Sequence, residues 1–192
     1  MSYEDMSIIA KGDLKLTTAT YHFKMLLLGD AAVGKTTLVT RFVKGKFRSD
    51  YKMTIGVDIL SKDVEVNNEK AVLSIWDIAG QERFKSFRNV FYRGASAAFI
   101  VFDLTRAQTF QNLGNWVDEL SRFVESPVST VIVGNKVDLE DLRDVRKEDA
   151  EGMAKSIGSL YLETSAKTGQ KVDEAFTTLT KGTIARIHSR KK

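Results

Sequence analysis

The sequence predicts an α/β fold: a six-stranded, mostly parallel sheet with one antiparallel edge strand and helices on both faces. Short apolar runs typical of buried strands alternate along the chain with segments of helical period. Asn67-Asn68 lies between the second run and the third, and this hairpin signal predicts an antiparallel pair. A glycine-rich motif at residues 29–36 follows the first run and opens the first helical segment.

The predicted elements follow one another without a repeat or a low-complexity segment. The strand-like runs lie at residues 23–28, 57–66, 71–76, 97–102, 128–133 and 160–162. Apolar residues at helical spacing mark four segments: Leu38, Val39, Phe42 and Val43; Leu113, Trp116, Val117, Leu120 and Phe123; Val145, Ala150, Met153, Ala154 and Ile157; Val172, Phe176, Leu179, Thr183 and Ile187. Trp116 and the other aromatic residues of these stripes are predicted to lie in the core.

The length of 192 residues fits one domain with an ample core. We divide the chain into an N-terminal extension (1–22), one domain (23–187) and a basic tail (188–192). The extension has apolar residues at 8–10 and 14–16. It would form a small hairpin, pack on the domain or act as a flexible arm, and the sequence does not decide between these.

Composition excludes several classes of protein. The net charge of +4 is small and its basic residues are scattered, so we expect no nucleic-acid partner. The absence of cysteine excludes disulfides and thiolate metal sites. There is no run of 18 apolar residues, and an N-terminus with Glu4 and Asp5 is no signal peptide. These features predict a cytoplasmic protein.

Residues 29–36 complete the phosphate-loop pattern G-x-x-x-x-G-K-[ST]. A strand that feeds such a loop into a helix directs backbone N–H groups at one point, and the positive helix end also attracts an anion. Lys35 would reach the β- and γ-phosphates of a nucleotide, and the Thr36 hydroxyl would bind magnesium. The alternative is a chance glycine turn, and the flanking strand and helix argue against it.

A second motif, Asn135-Lys136-Val137-Asp138, follows the apolar run at 128–133. It therefore lies at the carboxyl end of a strand, where open α/β sheets bind ligands. The Asp138 carboxylate accepts two hydrogen bonds, which suits the N1–H and the exocyclic amine of guanine. Adenine offers no such pair of donors and would leave the buried acceptor without a partner. An ordinary polar turn is the alternative, but the upstream phosphate loop favours guanine.

Three further segments complete a set of five motifs in a fixed order: residues 51–58 (YKMTIGVD), 76–84 (WDIAGQERF) and 163–167 (ETSAK). From about Phe23 to Arg186 the chain resembles a small GTPase of the Ras superfamily. Shorter matches at 55–58, 91–95 and 101–105 make it most similar to the Rab family. The resemblance implies a P-loop GTPase domain that binds GTP or GDP with Mg²⁺ and hydrolyses GTP slowly.

The resemblance also implies which residues surround the nucleotide. They belong to the phosphate loop, to the segment before the second strand, to the segment after the third strand and to two loops around the base. These residues are Asp30, Ala31, Ala32, Val33, Gly34, Lys35, Thr36, Thr37, Phe47, Thr54, Gly80, Asn135, Lys136, Asp138, Ser165, Ala166 and Lys167.

Three residues receive a catalytic role from the resemblance. Lys35 and Thr54 would contact the γ-phosphate, and Gln81 would orient the attacking water. Magnesium would be bound by the hydroxyls of Thr36 and Thr54 and, through water, by Asp77, because this ion prefers hard oxygen ligands.

Other implied roles concern the γ-phosphate and the base. The Gly80 N–H would bind the γ-phosphate, and glycine allows this close approach. The Ala166 N–H would donate to the guanine oxygen, while the alkyl stems of Lys136 and Lys167 would lie along the ring faces. Phe47 either lies against guanine or has a role in the core or the switch loop.

The implied partners are an exchange factor, an activating protein and effectors. They would contact two switch segments, which run from Thr54 to Asp58 and from Gly80 to Phe91. No obvious arginine within the chain is placed to stabilise the transferred phosphoryl group, so a partner would supply an arginine or its equivalent. We expect a monomer.

The chain departs from the family pattern at several positions. Ala31 stands where Ras proteins have glycine and Rab proteins often have serine, and its methyl group crowds the space that an incoming arginine would use. Ile59, Trp76 and Phe91 stand where Rab proteins present phenylalanine, tryptophan and tyrosine to effectors. These changes indicate a divergent relative with altered effector recognition.

With no cysteine to prenylate, membrane contact in this chain would depend on charge. At most weak electrostatic contact is expected from the basic residues at the end: Arg186, Arg190, Lys191 and Lys192. A longer natural tail would allow peripheral attachment.

The sequence leaves two alternative functions. A pseudo-GTPase scaffold that does not hydrolyse GTP is favoured by Ala31 and opposed by the intact catalytic residues. A P-loop ATPase or small kinase is opposed by the motif that ends at Asp138 and by the absence of an arginine-rich lid.

Overall fold

The computed structural model describes residues 20–47 and 53–190. Its strands are β1 Thr20–Leu28, β2 Val57–Val66, β3 Glu69–Ile78, β4 Ala97–Asp103, β5 Ser129–Asn135 and β6 Leu160–Thr164. They form one six-stranded sheet in the order β2-β3-β1-β4-β5-β6. Every neighbouring pair is parallel except β2 and β3, which are antiparallel. This arrangement confirms the predicted fold class.

The α-helices of the described residues are α1 Lys35–Lys44, α2 Lys85–Arg88, α3 Ala107–Gln111, α4 Leu113–Phe123, α5 Lys147–Ser156 and α6 Val172–Arg190. Short 3₁₀ turns lie at Glu82–Phe84, Asn89–Phe91 and Glu140–Leu142. The apolar period predicted α1, α4, α5 and α6. It did not predict α2 and α3, because helices of four and five residues are too short to show a period.

Some element ends differ from the prediction. Strand β1 begins at Thr20 rather than Phe23, because residues 20–22, which we had placed in the extension, pair with β3. Helix α6 continues to Arg190, so its end includes residues that we had placed in the tail. The predictions for the apolar residues at 8–10 and 14–16, for Tyr51 and Lys52, and for Lys191 and Lys192 concern residues outside the described ranges.

The hairpin between β2 and β3 turns at Asn67 and Asn68, whose φ angles are 53° and 63°. Asparagine tolerates this left-handed conformation, and two such residues in succession are typical of a two-residue hairpin. Val66 accordingly pairs with Glu69 across the turn. The turn makes β2 the antiparallel edge strand.

The sheet has a hydrophobic layer on each face. Because side chains alternate along a strand, Met25 and Leu27 of β1 pack into one layer and Leu26 and Leu28 into the other. All seven residues of β4 are buried, as expected for a central strand covered by helices on both sides. Trp116 is 5% exposed and belongs to the second layer, as predicted. The prediction is wrong for Phe123, which is 37% exposed and belongs to neither layer, because it ends α4 at the surface.

Parallel strands bring their carboxyl ends to the same edge of the sheet. At this edge β1 is followed by residues 29–36, and the segment after β3 contains Gly80. The motif that begins at Asn135 lies at the end of β5, and residues 164–167 lie at the end of β6. The fold therefore gathers the sequence motifs in one place.

Candidate functional site

The phosphate loop at 29–36 joins β1 to α1 through a backbone that requires glycine. Gly29 has a φ of 134°, and a Cβ atom there would lie 2.1 Å from the carbonyl oxygen of Val101 on β4. The opposite wall comes equally close, because a Cβ atom on Gly80 would lie 2.2 Å from the Gly29 oxygen. The loop is thus packed between β4 and the segment that follows β3.

Helix α1 begins at Lys35 with its first turn directed at this loop. No side chain caps the helix, since the residue before it is Gly34, and no acidic residue lies in its first turn. The first N–H groups of a helix have no partner within the helix, and the helix dipole makes this end positive. The start of α1 is therefore suited to bind an anion.

Lys35 lies across the phosphate loop and is only 6% exposed. Its Nζ atom donates to the carbonyl oxygens of Gly29 at 2.7 Å and Asp30 at 2.8 Å. Burial lowers the pKa of Lys35 to about 8, although the carboxylates of Asp77 and Asp30 act in the opposite direction. The loop thus holds a buried ammonium group at its carbonyl oxygens, and this positive charge further favours a phosphate.

Thr36, Thr54 and Asp77 come together as predicted. The hydroxyl oxygens of Thr36 and Thr54 are 2.7 Å apart, and the Thr54 hydroxyl donates to Asp77 Oδ2 at 3.2 Å. The Thr36 hydroxyl donates to the same carboxylate oxygen. This cluster connects the start of α1, the first switch segment and the end of β3.

The Asp77 carboxylate has the properties of a cation ligand. Asp77 is fully buried, and its Oδ1 atom has no hydrogen-bond partner among the described residues. Burial raises the pKa of Asp77, while hydrogen bonds from Thr36 and Thr54 and the charge of Lys35 lower it. A carboxylate with a free oxygen beside two hydroxyls fits a magnesium ion, which prefers hard oxygen ligands and completes its shell with water.

The second switch segment lies beside this cluster. Gly80 and Gln81 line a small cavity with Thr54 and the phosphate loop. The Gln81 side chain extends toward the first switch segment, where its Nε2 atom contacts the Met53 sulfur at 3.8 Å. Gln81 therefore lies at the edge of the cavity that the phosphate loop and Thr54 form.

Asn135 lies buried between two of the loops predicted to contact the nucleotide. It is 1% exposed, and its Nδ2 atom donates to the Val33 carbonyl in the phosphate loop at 2.9 Å. Its Oδ1 atom accepts from the Thr164 hydroxyl and from the Ala166 N–H, both at 3.1 Å. Asn135 thus connects the phosphate loop to the loop after β6. The Ala166 N–H already has a partner, so a bond to guanine would have to be shared.

The two other side chains of this motif are held in place by neighbours. Asp138 accepts a hydrogen bond from the Ser165 hydroxyl at 2.6 Å, which leaves its second carboxylate oxygen available for a ligand. Lys136 has a φ of 73°, and its Nζ atom lies 2.6 Å from Asp103 Oδ2. Lys167 is exposed, as a residue along the open face of a base would be.

Two residues of the phosphate loop turn their side chains away from the site. The Asp30 carboxylate accepts from Asn112 Nδ2 at 2.7 Å and from Trp116 Nε1 at 2.8 Å, both in or next to α4. The Val33 side chain is fully buried in the core. Both residues can reach a ligand only through the backbone.

The side chain of Phe47 is 42% exposed and belongs to neither hydrophobic layer of the described residues. This exposure excludes the core role that was one of its two predicted roles.

Sequence reasoning missed Arg41, which holds the loop after β6. From α1 its Nε atom donates to the Ala166 carbonyl at 3.1 Å, and its Nη2 atom donates to the Lys167 carbonyl. Nothing in the sequence indicated this, because a charged residue in an amphipathic helix normally faces solvent. Asp103 was also missed, although a polar residue at the carboxyl end of a buried strand was a usable signal.

The second switch segment is attached to α4 by a buried ion pair. Arg88 is 3% exposed, and its guanidinium donates to both carboxylate oxygens of Glu119 at 3.0 and 2.9 Å. The same guanidinium lies 4.2 Å from the Trp116 ring, and the Tyr92 hydroxyl also donates to Glu119 at 2.8 Å. This pair sets the position of residues 81–92 relative to α4.

The departures near the switches form one surface. Ile59 pairs with Trp76 across the β2–β3 ladder, and the Trp76 and Phe91 rings are 6.1 Å apart. Ile59 is 51% exposed. The three positions are therefore contiguous, and the aliphatic residue lies at the accessible end of the cluster.

Arg186 is not one of the exposed basic residues, and this differs from the prediction that its charge contributes to membrane contact. Its guanidinium donates to the Ser96 carbonyl at 2.6 Å and to the Pro127 carbonyl. Burial lowers its pKa. Arg186 thus fastens α6 to the starts of β4 and β5, and its charge is not free to contact lipids.

The class of the protein follows from this arrangement. A phosphate loop after β1, an antiparallel edge strand and, after β5, the motif at residues 135–138, here called the base loop, define a P-loop nucleotide-binding protein with a Ras-like fold. The model of the Ras family matches residues 24–185 of this chain. The chain belongs to the Ras family.

Rab proteins are among its relatives. It is 41% identical to Ras-related protein Rab-2B of Dictyostelium discoideum over 177 residues, which cover 92% of this chain and 88% of the relative. It is 45% identical to Ras-related protein RABA6b of Arabidopsis thaliana over 88% of this chain and 72% of the relative. Human Ras-related protein Rab-8B is 41% identical over 89% of this chain and 83% of the relative. These matches confirm the resemblance to Rab-like small GTPases.

Proposed function

We propose that this protein is a guanine-nucleotide switch that binds GTP or GDP with Mg²⁺, slowly hydrolyses GTP and acts in membrane traffic, as the Rab names of its relatives suggest. The observation that carries the proposal is the meeting of two groups of side chains at one sheet edge. One is the Thr36, Thr54 and Asp77 cluster beside Lys35, and the other is Asp138 beside Ser165. The first group suits a triphosphate with its metal, and the second suits guanine.

In this proposal, each end of the nucleotide is recognised by different chemistry. The N–H groups of residues 30–37 and the Lys35 ammonium bind the phosphates. The Asp138 carboxylate accepts from the guanine N1–H and amine, while the stems of Lys136 and Lys167 cover the ring. Thr36, Thr54 and Asp77 would hold magnesium, whose charge would neutralise the β- and γ-phosphate oxygens.

Hydrolysis requires a water molecule in line with the γ-phosphate, and Gln81 lines the cavity that the phosphate loop and Thr54 form. Gln81 positions the water, the Gly80 N–H and Lys35 stabilise charge on the phosphoryl oxygens, and the Thr54 backbone binds the same group. A partner's arginine contributes about 10³–10⁵ in rate in related enzymes, so turnover of the isolated protein is slow.

Replacing Gln81 by leucine is expected to slow single-turnover GTP hydrolysis at least about tenfold, because one positioned polar group at the reacting centre is removed. Affinity for GDP is expected to stay unchanged, since the water takes part only in the triphosphate reaction. The matched control is Gln108→Leu, at an exposed glutamine on α3. A parallel loss of GDP affinity in Gln81→Leu would mean that Gln81 has a structural role.

The switch predicts a difference in backbone protection between the two nucleotide states. The γ-phosphate would bind both Thr54 and Gly80, so its loss frees the two segments. Amide exchange near Thr54 and in residues 80–91 is expected to be slow with a non-hydrolysable GTP analogue and fast with GDP. Strand β4 serves as the internal control, because all seven of its residues are buried and it belongs to neither switch segment. Equal exchange in both states would indicate a rigid binding module.

Partners are expected on the same two segments. An exchange factor, an activating protein and effectors would contact the surface from Thr54 to Asp58 and from Gly80 to Phe91 of a monomer.

Membrane contact is the other interaction to consider. Among the described residues, no helix is long and apolar enough to cross a bilayer. Direct lipid contact through the exposed basic residue Arg190 would be weak and sensitive to salt.

The proposal is tested by identifying the nucleotide released from the purified protein on gentle denaturation, followed by single-turnover hydrolysis. We expect GDP or GTP to be released and GTP to be converted to GDP. Release of ADP, or no affinity for any guanine nucleotide, would overturn the guanine assignment. Tight GTP binding without hydrolysis would overturn the enzymatic part.

A further inference from the structure

Asp103, at the end of β4, is a polar centre that the proposed mechanism does not use. Its carboxylate is fully buried, and the two oxygens have separate partners. Oδ1 accepts from the Thr105 N–H at 3.0 Å and from the Thr105 hydroxyl at 2.7 Å. Oδ2 accepts from Lys136 Nζ at 2.6 Å and from Arg106 Nε at 2.9 Å.

Arg106 extends this network to the phosphate loop. Its Nη2 atom donates to the Ala31 carbonyl at 3.0 Å, while its Nε atom remains on Asp103. A continuous path of hydrogen bonds therefore runs from Ala31 through Arg106 and Asp103 to Lys136. It places an arginine beside the phosphate loop, which the sequence motifs did not indicate.

We propose that Asp103 is a positioning residue that connects the phosphate loop to the base loop and thereby slows nucleotide release. The proposal rests on the guanine-nucleotide function proposed above. Asp103 does not touch the nucleotide. It orients the Lys136 stem against the base and, through Arg106, fixes the Ala31 carbonyl.

The division between the two oxygens separates this role from a purely structural one. Oδ1 stabilises the turn after β4. Oδ2 contacts two side chains, of which Lys136 belongs to the base loop and Arg106 contacts the phosphate loop. Burial by itself would raise the pKa of Asp103, but hydrogen bonds from Lys136 and Thr105 hold it below its usual range. The carboxylate is therefore charged when it binds the two cations, and such charge-assisted bonds are the strong ones.

The substitution Asp103→Asn exploits this division. Asparagine keeps the shape of the side chain and the Oδ1 acceptor for Thr105, but it places an NH₂ group where Lys136 and Arg106 now donate. We expect release of fluorescently labelled GDP to be about 10- to 100-fold faster, as the loss of a hydrogen bond to a charged group predicts. The matched control is Asp144→Asn, since Asp144 accepts from the Ala107 N–H at 2.7 Å nearby but contacts neither nucleotide loop.

Double-mutant cycles distinguish positioning from general destabilisation. Asp103→Asn is combined with Lys136→Met, which keeps the alkyl stem, and separately with Arg106→Gln. If Asp103 acts through these side chains, its effect on GDP release is strongly non-additive with each of theirs. Additive effects would mean that Asp103 stabilises the domain without orienting either residue, and they would overturn the inference.

The remaining outcomes are also decisive. An unchanged GDP release rate in Asp103→Asn would overturn the inference while leaving the guanine-nucleotide function intact. A release rate raised equally by Asp144→Asn would show that any change in this turn is sufficient, and the inference would fail. If the unmodified protein bound no guanine nucleotide, the proposed function would fail and this inference with it.

Discussion

Replacing Lys35 by methionine is expected to lower the affinity for GTP by about 100- to 10,000-fold, because charge-assisted bonds to the β- and γ-phosphates are lost. The affinity for GDP is expected to fall by about 10- to 100-fold, because GDP loses only the bond to its β-phosphate. Methionine retains most of the alkyl stem, so the packing of this buried residue against the phosphate loop is largely preserved. The ammonium, now 2.7 and 2.8 Å from the Gly29 and Asp30 carbonyls, is removed. Equilibrium titration with a fluorescent nucleotide measures the change.

The control for this variant is Lys44→Met, at an exposed lysine at the other end of the same helix. It makes the same change in net charge and is expected to leave nucleotide affinity unchanged. Thermal unfolding of both variants shows whether the fold persists. If a folded Lys35→Met protein bound GDP as tightly as the unmodified protein, the phosphates would not bind where we place them.

Replacing Asp138 by asparagine is expected to exchange guanine selectivity for xanthine selectivity. The carboxylate accepts from two donors of guanine, whereas the amide presents one acceptor and one donor, which matches the N1–H and carbonyl of xanthine. The loss of a bond to a charged group lowers GTP affinity by about 10- to 100-fold. With a comparable gain for xanthosine triphosphate, the selectivity ratio changes by about 100- to 10,000-fold.

Competition between the two nucleotides for the Asp138→Asn protein measures this ratio. The Ser165 hydroxyl that now donates to Asp138 Oδ1 at 2.6 Å can donate equally to the amide oxygen, so the loop is expected to keep its shape. The matched control, Asp141→Asn, changes an exposed aspartate in the following turn. An unchanged ratio in Asp138→Asn would remove Asp138 from the base site.

Most of the fold was predictable because it depends on short-range patterns. Alternating apolar runs and helical periods gave the sheet and its long helices, and the pair Asn67-Asn68 gave the antiparallel edge. The elements that were missed or misplaced depend on pairing with distant residues. Thr20 joins β1 only because Lys70 lies beside it in β3, and α3 is too short to carry a period.

Much of the candidate site was predictable for a similar reason. The phosphate loop and the motif that ends at Asp138 each follow a strand that reads as buried, and parallel strands bring these ends to one edge. The structure places Thr36, Thr54 and Asp77 together, as the family resemblance implied. Asn135 and Asp30 were less predictable, because the direction of a side chain depends on the packing around it.

The sequence by itself determined the fold class, the position of the phosphate loop and the residue chemistry suited to guanine, because each follows from residue types at fixed local spacing. Only the tertiary structure decided how these parts are held. Asn112 reaches Asp30 across 82 positions, Arg41 reaches the Lys167 carbonyl across 126, and Arg106 reaches Ala31 across 75. Such contacts depend on how the helices pack on the sheet, and local spacing carries no information about them.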